Sequence, residues 1–330
     1  MIEIVTLETT HIDLICNSLW RNQLTYNEYS FISDNQLKEY LRNNLIKSLS
    51  SDDFYSFAAI TDGTLSGVIS CNKNDFDSDN FKFNCYRITE LLILSENYVE
   101  VSLIVKKLTY ALEQKLASIS RPFYLAYSLN NNTSNSALLF NSLTSNKYHY
   151  IHTLLTFSSQ KKKFESLDYY PNEKLTIRKV RMHDAKIISE LAQKSFKYSR
   201  FHLDPFLDNF QASLLLKKSA ENSILKGYVD IMFVAEINNT IIGYYSGKKR
   251  YIPELNKTIG EAVISAVDSD SRGLGVFSKM DNHLLNWFAD NTDFAEMGTY
   301  LVNFPVHKTW INKGLGLIKG MHQFSKFVNK

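Results

Sequence analysis

The sequence contains little glycine, and what it contains is unevenly placed. Of the 12 glycines, only Gly63 and Gly67 precede residue 227. A loop that wraps a phosphate with its backbone needs residues that adopt positive φ and bring no Cβ near the ligand. The first half of the chain therefore has no glycine loop able to hold a diphosphate, and any such site belongs to the second half.

Other scarce features exclude further classes of protein. Cys16, Cys71 and Cys85 have no metal-ligand spacing, and three is an odd number for a disulfide framework, which favours reduced thiols and a cytoplasmic protein. The net charge of +3 is too small to indicate nucleic-acid binding, and Lys161–Lys163 is interpreted as part of a solvated linker. The first residues lack the pattern of a signal peptide, and no run reaches the roughly 18 apolar residues of a membrane helix. We expect no metal, nucleic-acid or membrane partner.

Two segments of the chain repeat at a constant offset. Residues 59–70 (AITDGTLSGVIS) match residues 235–246 (AEINNTIIGYYS), and an alanine, a threonine, a glycine and a serine coincide. Each copy places a two-residue turn between strand-like runs, which predicts a tight hairpin. The two turns are Asp62-Gly63 and Asn238-Asn239. Two weaker matches accompany this one: 4–15 with 177–188, and 148–157 with 315–324.

The repeat predicts an α/β fold of the α+β type, with two copies of one domain over 1–160 and 174–330. The chain of 330 residues is long enough for two cores. In the first domain we predict helices over 35–49 and 99–117. In the second domain the predicted strands are 175–181, 229–236, 241–250, 259–267, 294–301 and 317–328, and the predicted helices are 184–196, 206–222, 276–290 and 304–313.

One segment of the second half joins a strand to a helix through glycines. The apolar run Ala262–Val267 is followed by a polar turn, by Arg272-Gly273-Leu274-Gly275, and by apolar residues at helical spacing up to Phe288. Such a junction directs backbone N–H groups and the positive end of the helix dipole at one spot, which suits a phosphate or diphosphate. The loop lacks the Gly-Lys-Ser/Thr of nucleoside triphosphatases and the third glycine of the dinucleotide fingerprint. An ordinary glycine-rich turn is the alternative interpretation.

This loop resembles the pyrophosphate loop of the GNAT acyltransferases, (Gln/Arg)-Gly-x-Gly-x-(Gly/Ala), although Phe277 fills the last position. The resemblance implies two tandem GNAT-like domains, each a mixed, mostly antiparallel, twisted sheet flanked by helices. The first copy, which lacks the coenzyme loop, is interpreted as degenerate, with a chance match to an unrelated α/β domain as the alternative. The resemblance further implies that acyl-coenzyme A (acyl-CoA) is bound as a co-substrate by Arg272, Gly273, Leu274, Gly275 and Val276.

The strand before the loop carries two further implications of the resemblance. Glu261 is expected to be the general base that takes a proton from an acceptor amine. The strand is expected to bulge and separate from its neighbour, so that backbone N–H groups near Ser265 and Val267 reach the coenzyme arm and the thioester oxygen.

The helix near the end of the sequence departs from the family pattern. Asn303 matches the asparagine that contacts the coenzyme arm, but Trp310 stands where the family usually has a tyrosine as general acid. An indole N–H is not acidic and cannot protonate a thiolate. We therefore expect either that His307 substitutes as the acid or that the thiolate leaves unaided.

The acceptor side is carried by residues 194–206 (KSFKYSRFHLDPF), which resemble the Ser-Arg-Phe element of the bacterial TDP-amino-sugar N-acyltransferases. Residues 76–88 resemble a second element of these enzymes and predict the start of a strand with aromatic packing. A helix–helix corner with Phe201 and Phe206 as core residues is the alternative for the first segment. The resemblance implies a nucleotide-sugar site at Arg200, Phe201 and His202, with Asp204 as a second candidate base.

These observations predict an acyl-CoA-dependent N-acyltransferase that acylates the amine of a TDP-linked amino-dideoxy sugar. The acyl group is expected to be acetyl or 3-hydroxybutanoyl, and the resemblance implies a role in building the sugars of O-antigen (lipopolysaccharide biosynthesis), capsule or glycoproteins. The amine is expected to attack the thioester directly, since no cysteine lies near the loop. The alternatives are a GNAT acetyltransferase for another amine (an antibiotic, a small amine or a protein) and a non-catalytic CoA-binding module. Whether the protein forms a homodimer is left open.

Overall fold

The computed structural model describes residues 1–18, 33–50, 53–131, 135–160, 175–196 and 199–329. The basic run and the linker predicted after residue 160 lie outside these residues. The chain divides into two compact units. Unit 1 comprises Met1–Leu154 with Lys319–Lys330, and unit 2 comprises Leu155–Ile318.

Unit 1 is built on a sheet with strand order β1-β2-β3-β4-β5-β12, in which only β4 and β5, among these neighbours, run parallel. Its strands are β1 (Ile2–Thr6), β2 (Phe54–Thr61), β3 (Thr64–Lys73), β4 (Asn84–Ile93) and β5 (Phe123–Asn130). Its helices are α1 (Thr9–Ser18), α2 (Asp34–Leu49), α3 (Asp75–Phe81), α4 (Tyr98–Ile119) and α5 (Ser136–Ser145). Two strands contribute residues to both units: β6 (His149–Gln160) and β12 (Gly316–Val328).

Unit 2 is built on a sheet with strand order β6-β11-β10-β9-β8-β7. Strands β7 to β10 pair antiparallel, and β10 pairs parallel with β11. The strands are β7 (Leu175–Lys179), β8 (Ile231–Ile237), β9 (Thr240–Ile252), β10 (Lys257–Val267) and β11 (Phe294–Tyr300). The helices are α6 (Ala185–Ser195), α7 (Arg200–Leu203), α8 (Asn209–Leu225), α9 (Val276–Asn291) and α10 (Phe304–Asn312). The predicted fold class, a mixed and mostly antiparallel sheet flanked by helices, is confirmed.

Two differences from the sequence-based elements have clear local causes. Helix α8 begins three residues later than predicted, because Asp208 accepts the Gln211 N–H at 2.8 Å as its N-cap. The strand start predicted within 76–88 is present, since β4 begins at Asn84, but the first part of this segment forms α3. Asn74 caps that helix by accepting the Asp77 N–H, and Lys82 ends it at a φ of 67°.

The units also differ from the domain bounds expected at 160 and 174. Residues 321–328 of β12 pair antiparallel with β5 and so belong to unit 1, while β6 runs on into unit 2 from residue 155. The sequence matched 148–157 with 315–324, and these are parts of the two strands that belong to both units. A match in sequence thus identified two equivalent strands but not the sheets in which they lie.

Both predicted hairpins are present, and the repeat extends to a shared irregularity. Positive φ at Asp62 and Gly63, and again at Asn238 and Asn239, forms the tight turns β2–β3 and β8–β9. The last residue of each matched segment, Ser70 or Ser246, then lies opposite a register shift in the next strand. The Ser70 hydroxyl is 3.0 Å from Thr89 Oγ1, and the Ser246 hydroxyl donates to the Ile264 carbonyl at 3.1 Å.

Helix α9 lies flat on the unit 2 sheet because glycine faces it. A Cβ at Gly260 would come within 2.3 Å of the Phe288 ring, and one at Gly247 within 2.7 Å. Phe288 itself is 1% exposed, and Met280 and Leu284 are fully buried beside it. This close packing fixes the helix whose first turn follows the glycine loop.

Candidate active site

The loop between β10 and α9 has the backbone conformation that its glycines predict. Gly273 has a φ of 82° and Gly275 a φ of 74°, both in the left-handed region. A Cβ at Gly273 would meet no atom within 4 Å, so glycine is required there for the conformation rather than for space. Arg272 and Leu274 are exposed beside them.

The first turn of α9 leaves its donors open. Gly275 occupies the N-cap position without a side-chain cap, and the first turn contains no acidic residue. Among the described residues, no hydrogen bond engages the backbone N–H groups of Gly273, Leu274, Gly275 or Val276. These donors and the positive end of a 16-residue helix suit a diphosphate.

Strand β10 both bulges and parts from β11, as the resemblance implies. Its register against β9 shifts between Ala262 and Ser265, where Ser246 accepts the Ile264 N–H at 3.3 Å and donates to its carbonyl. Its parallel pairing with β11 spans only Ile259–Glu261, although both strands continue. From Ala262 onward, within the described residues, the edge of β10 toward β11 has no strand partner, and Ser265 and Val267 lie on this part.

Glu261 is bound by two cations of β9. Arg250 Nε lies 2.6 Å from one carboxylate oxygen, and Lys248 Nζ lies 2.9 Å from the other. Burial by itself raises the pKa of Glu261, but the hydrogen bonds and charges of Lys248 and Arg250 outweigh it and hold the pKa below its ordinary value. The carboxylate is therefore ionised at neutral pH but has a low proton affinity while both cations remain in place.

Helix α10 carries the other residues expected near the coenzyme. Asn303 Nδ2 donates to Thr299 Oγ1 at 2.8 Å, and its backbone carbonyl accepts the N–H groups of Val306 and His307. His307 is 9% exposed between the rings of Phe157 and Phe304, and its Nε2 has no hydrogen-bond partner among the described residues. The imidazole is therefore enclosed by aromatic groups.

Trp310 is a core residue. It is 1% exposed, and its indole N–H donates to Asp281 Oδ1 of α9 at 3.1 Å. The indole packs on Phe157 and Phe277. Its place in the core agrees with the expectation that it does not serve as an acid. Phe277, at the last position of the loop motif, thus packs against the residue that replaces the family tyrosine.

The predicted acceptor residues lie in and beside α7. The Arg200 guanidinium carbon lies 3.9 Å from the centroid of the Phe201 ring, a cation–π stack. The backbone N–H of Arg200 donates to the hydroxyl of Tyr300 at 3.3 Å. Tyr300, whose pKa is raised by burial, is the last residue of β11, in the part of this strand that no longer pairs with β10. It was not identified from the sequence. A tyrosine at a strand end has no sequence signal that separates it from a packing residue.

His202 is used inside the segment. Ser213 gives its only hydroxyl proton to the Asn209 carbonyl at 3.0 Å, so it accepts from His202 Nε2–H at 3.0 Å. His202 Nδ1 then accepts the Ser199 hydroxyl at 2.7 Å. Burial lowers the pKa of His202, which keeps the ring neutral. Both ring nitrogens therefore hold the segment together rather than face a ligand.

Asp204 shapes the turn that follows α7. It is 2% exposed, and its Oδ1 accepts the Phe206 N–H at 3.0 Å. Phe206 is 39% exposed, so it does not fill the core as the helix-corner interpretation expects.

Within the described residues, no group of three or more His, Cys, Asp or Glu side chains is arranged to hold a metal ion. None of the described helices combines the length and apolar character needed to cross a membrane.

The chain matches no protein-family model, and no curated protein sequence matches it. Solved structures are similar to it in fold. A GCN5-related N-acetyltransferase from Sphaerobacter thermophilus superposes with a TM-score of 0.63 at 10% identity, covering 100% of this chain and 96% of its own. A fungal GCN5-related glucosamine N-acetyltransferase region also scores 0.63 at 10% identity, covering 99% of this chain and 38% of the multi-domain protein.

A tandem GNAT protein from the clavulanic acid biosynthesis pathway superposes with a TM-score of 0.53 at 10% identity, covering 99% of this chain and 98% of its own. At these identities the likeness concerns the fold. The separation of β10 from β11 and the conformation of the glycine loop before α9 are observed in the structure itself. The chain has the fold of the tandem GNAT proteins.

Proposed function

We propose that this protein is an acyl-CoA-dependent N-acyltransferase and that its acceptor is a TDP-linked amino-dideoxy sugar. The observation that carries the proposal is the uncapped loop Gly273–Gly275 at the end of the bulged strand β10. Backbone donors for a diphosphate and an open strand edge for an extended arm occur together there. Acyl-CoA has both groups, and it supplies the activated acyl thioester.

The proposed coenzyme contacts follow from these donors. The N–H groups of the Arg272–Val276 segment take the diphosphate, with the Arg272 side chain exposed beside it. The unpaired edge of β10 at Ser265 and Val267 takes the amide-containing arm, as an added strand pairs with a sheet edge. Asn303 at the start of α10 is the remaining proposed contact. No metal is required, because the thioester is already activated.

The proposed acceptor site is the α7 segment. Arg200 stacked on Phe201 presents a cation and an aromatic face, which suit the diphosphate and the base of a nucleotide sugar. The fold neighbour named for glucosamine supports an amino sugar as the acceptor class. His202 contributes by holding this segment. We propose acetyl or 3-hydroxybutanoyl as the acyl group. We propose lipopolysaccharide biosynthesis as the process in which the enzyme acts.

The proposed reaction is direct attack of the neutral amine on the thioester. A bond forms between the amine nitrogen and the acyl carbon, the carbon–sulfur bond breaks, and the amine loses one proton. Glu261 is the proposed acceptor of that proton, with Asp204 as the alternative; either acts through water, because both carboxylates are already hydrogen-bonded. The thiolate, with a pKa of about 8.5, leaves unaided or takes a proton from His307.

A panel of acyl-CoA thioesters and TDP-amino sugars tests the proposal, with free thiol and product mass as readouts. We expect thiol release and a mass gain equal to the acyl group only when both substrates are present. We expect Glu261→Gln to lower kcat by roughly a hundredfold, whereas the exposed control Glu190→Gln leaves it unchanged. Acylation of simple amines or protein N-termini in place of the sugars would support the alternative acceptors, and no thiol release with any pair would overturn the enzymatic proposal.

A non-catalytic CoA-binding module is the second candidate. It is favoured by two observations: Glu261 is bound by two cations, and the indole of Trp310 occupies the position of the family acid. This candidate predicts calorimetric binding of acyl-CoA without thiol release at any pH. Turnover above the uncatalysed rate would exclude it.

A further inference from the structure

A buried charged cluster joins α9 to α10. Asp281 of α9 and Lys313, directly after α10, place a carboxylate and an ammonium 2.6 Å apart, with side chains 0% and 4% exposed. The second carboxylate oxygen accepts the Trp310 indole N–H at 3.1 Å. Lys313 also donates to the Ser278 carbonyl in the first turn of α9 at 3.0 Å. Three directional bonds therefore connect the two helices.

Local sequence brings the two α10-side residues into position. Trp310 and Lys313 are three residues apart, so they lie on one face of the helix. Gly314, at a φ of 77°, ends the helix, and the Leu315 N–H returns to the Trp310 carbonyl at 3.0 Å. The Gly314 N–H bonds to the Ile311 carbonyl at 2.9 Å, which completes a Schellman motif. This turn fixes the backbone from which both side chains reach α9.

Stability alone does not account for such a cluster. Replacing a buried ion pair with apolar groups of similar size is often neutral or stabilising, because both charges lose their hydration. What a hydrogen-bonded pair provides beyond an apolar contact is direction. Bonds to Asp281 and to the Ser278 carbonyl oppose rotation and sliding of α9 against α10, which the neighbouring aromatic contacts alone allow.

We infer that Asp281, Lys313 and Trp310 are positioning residues that orient the first turns of α9, and with them the coenzyme loop, relative to α10. The inference rests on the proposed function, since it concerns how the acyl-CoA site is aligned. Ser278 lies three residues beyond Gly275, so a bond to its carbonyl holds the turn that carries the open N–H groups. Asn303 begins the partner helix. A rotation of α9 therefore misaligns contacts on both elements.

Two variants separate positioning from stability. Trp310→Phe keeps an aromatic ring and removes only the donor to Asp281. The double variant Asp281→Leu with Lys313→Met removes both charges at similar volume. We expect both to raise the KM and the calorimetric Kd for acyl-CoA by roughly tenfold, with the KM for the acceptor unchanged. We also expect faster hydrogen exchange at the amides of Val276–Met280.

The matched control is Arg178→Met. This arginine forms another part-buried ion pair in unit 2, 2.7 Å from Asp184, and its side-chain hydrogen bonds go to β8, to the turn before α6 and to the adjacent Lys179 carbonyl. We expect it to lower the melting temperature but to leave the KM for acyl-CoA unchanged. If a change in KM appears in the control as well, the effect is one of general stability and the inference is wrong.

The remaining outcomes are also decisive. A folded double variant with wild-type KM, Kd and exchange would overturn the inference. Should Trp310→Phe not fold, the double variant alone decides. As a further check, Lys313→Arg keeps the positive charge, and we expect it to retain most of the acyl-CoA affinity that Lys313→Met loses. If the wild type releases no thiol, the proposed function fails, while hydrogen exchange in α9 still tests the positioning role.

Discussion

The two units begin their corresponding helices in opposite ways. In unit 1, α4 follows β4, and Asn97 caps it by accepting the N–H groups of Val99 and Glu100 at 3.0 and 3.2 Å. Glu100 adds a negative charge to the first turn. In unit 2, α9 follows β10 without a side-chain cap or an acidic residue. In unit 1 an asparagine thus accepts the first backbone N–H groups of the helix, whereas in unit 2 the corresponding N–H groups remain available to a ligand.

The gap beside the bulged strand shows the same contrast. In unit 1 the Asn135 amide donates to the Ile93 carbonyl at the end of β4 at 2.9 Å, and Asn135 is 3% exposed. In unit 2 the corresponding Asn303 bonds to Thr299 beside its own helix. Both units keep the bulge opposite Ser70 or Ser246. The scaffold is therefore common to both, and side chains that close the site distinguish unit 1, which supports our proposal that its domain is degenerate.

The largest expected effect is at the start of α9. Gly275→Val places a β-branched residue at a φ of 74°, which should weaken acyl-CoA binding by roughly tenfold to a hundredfold. Calorimetry measures this, with one coenzyme per chain expected in the wild type. The control in unit 1, Asn97→Ala, should leave binding unchanged and lower the free energy of unfolding by about 1 kcal/mol. Two coenzymes per chain, or a binding loss in Asn97→Ala, would break the comparison.

Substituting the two asparagines should affect different properties, stability for Asn135 and coenzyme binding for Asn303. Asn135→Ala leaves a buried carbonyl without its donor and should lower the free energy of unfolding by about 1–3 kcal/mol, with no change in the KM for acyl-CoA. Asn303→Ala should destabilise less, since its partner is a hydroxyl, but should raise that KM. Chemical denaturation and steady-state kinetics on both variants check this. Equal stability losses would argue that neither position faces a ligand.

The bulge serines allow a finer comparison. Ser70 and Ser246 are both fully buried, and each loses its hydrogen bond on substitution by alanine, so each variant should lose about 1 kcal/mol of stability. Only Ser246→Ala should also lower kcat, because only its bulge lies beside the proposed thioester. An equal kcat in the two variants would mean that the bulge in unit 2 is structural.

The smallest effect is expected from pH. Burial lowers the pKa of His202 in unit 2 and of His322 in unit 1 below the ordinary 6.5. Each histidine then binds a proton more readily in the unfolded chain than in the folded one. The stability that comes from keeping the ring neutral is therefore fully present above pH 6.5, and it is lost as the pH falls through the lowered pKa of the folded state. Hydrogen exchange at pH 7 and at lower pH should show both units weakening, and His202→Phe should remove part of the change in unit 2 only. An unchanged pH response of unit 2 in this variant would contradict the assignment.

Local features of the fold could be predicted from the sequence. The turns at Asp62-Gly63 and Asn238-Asn239 and the positive φ of Gly273 and Gly275 follow from residue type and the neighbouring pattern. Apolar spacing over several turns likewise predicted α4 and α9 to within two residues. These features depend on neighbours along the chain.

Pairings across the sheet could not be predicted. Lys248 and Arg250 neutralise Glu261 because β9 lies beside β10, and that register is not visible in either segment alone. The bonds of Trp310 to Asp281 and of Asn135 to Ile93 join residues 29 and 42 positions apart. The ion pairs that hold the candidate base Glu261, and the asparagine that closes the edge of β4 in unit 1, therefore became visible only in the tertiary structure, where propensity carries no information.

The place of β12 has a consequence for how the chain is made. A ribosome releases residues 1–154 long before residues 319–330, yet the sheet of unit 1 includes both. Until the last strand emerges, β5 presents an unsatisfied row of backbone groups, and its completion waits on contacts nearly 200 residues away. The sheet of the portion synthesised first is therefore complete only after β12 has been synthesised, and until then the open edge of β5 is a surface on which strands of other chains can pair.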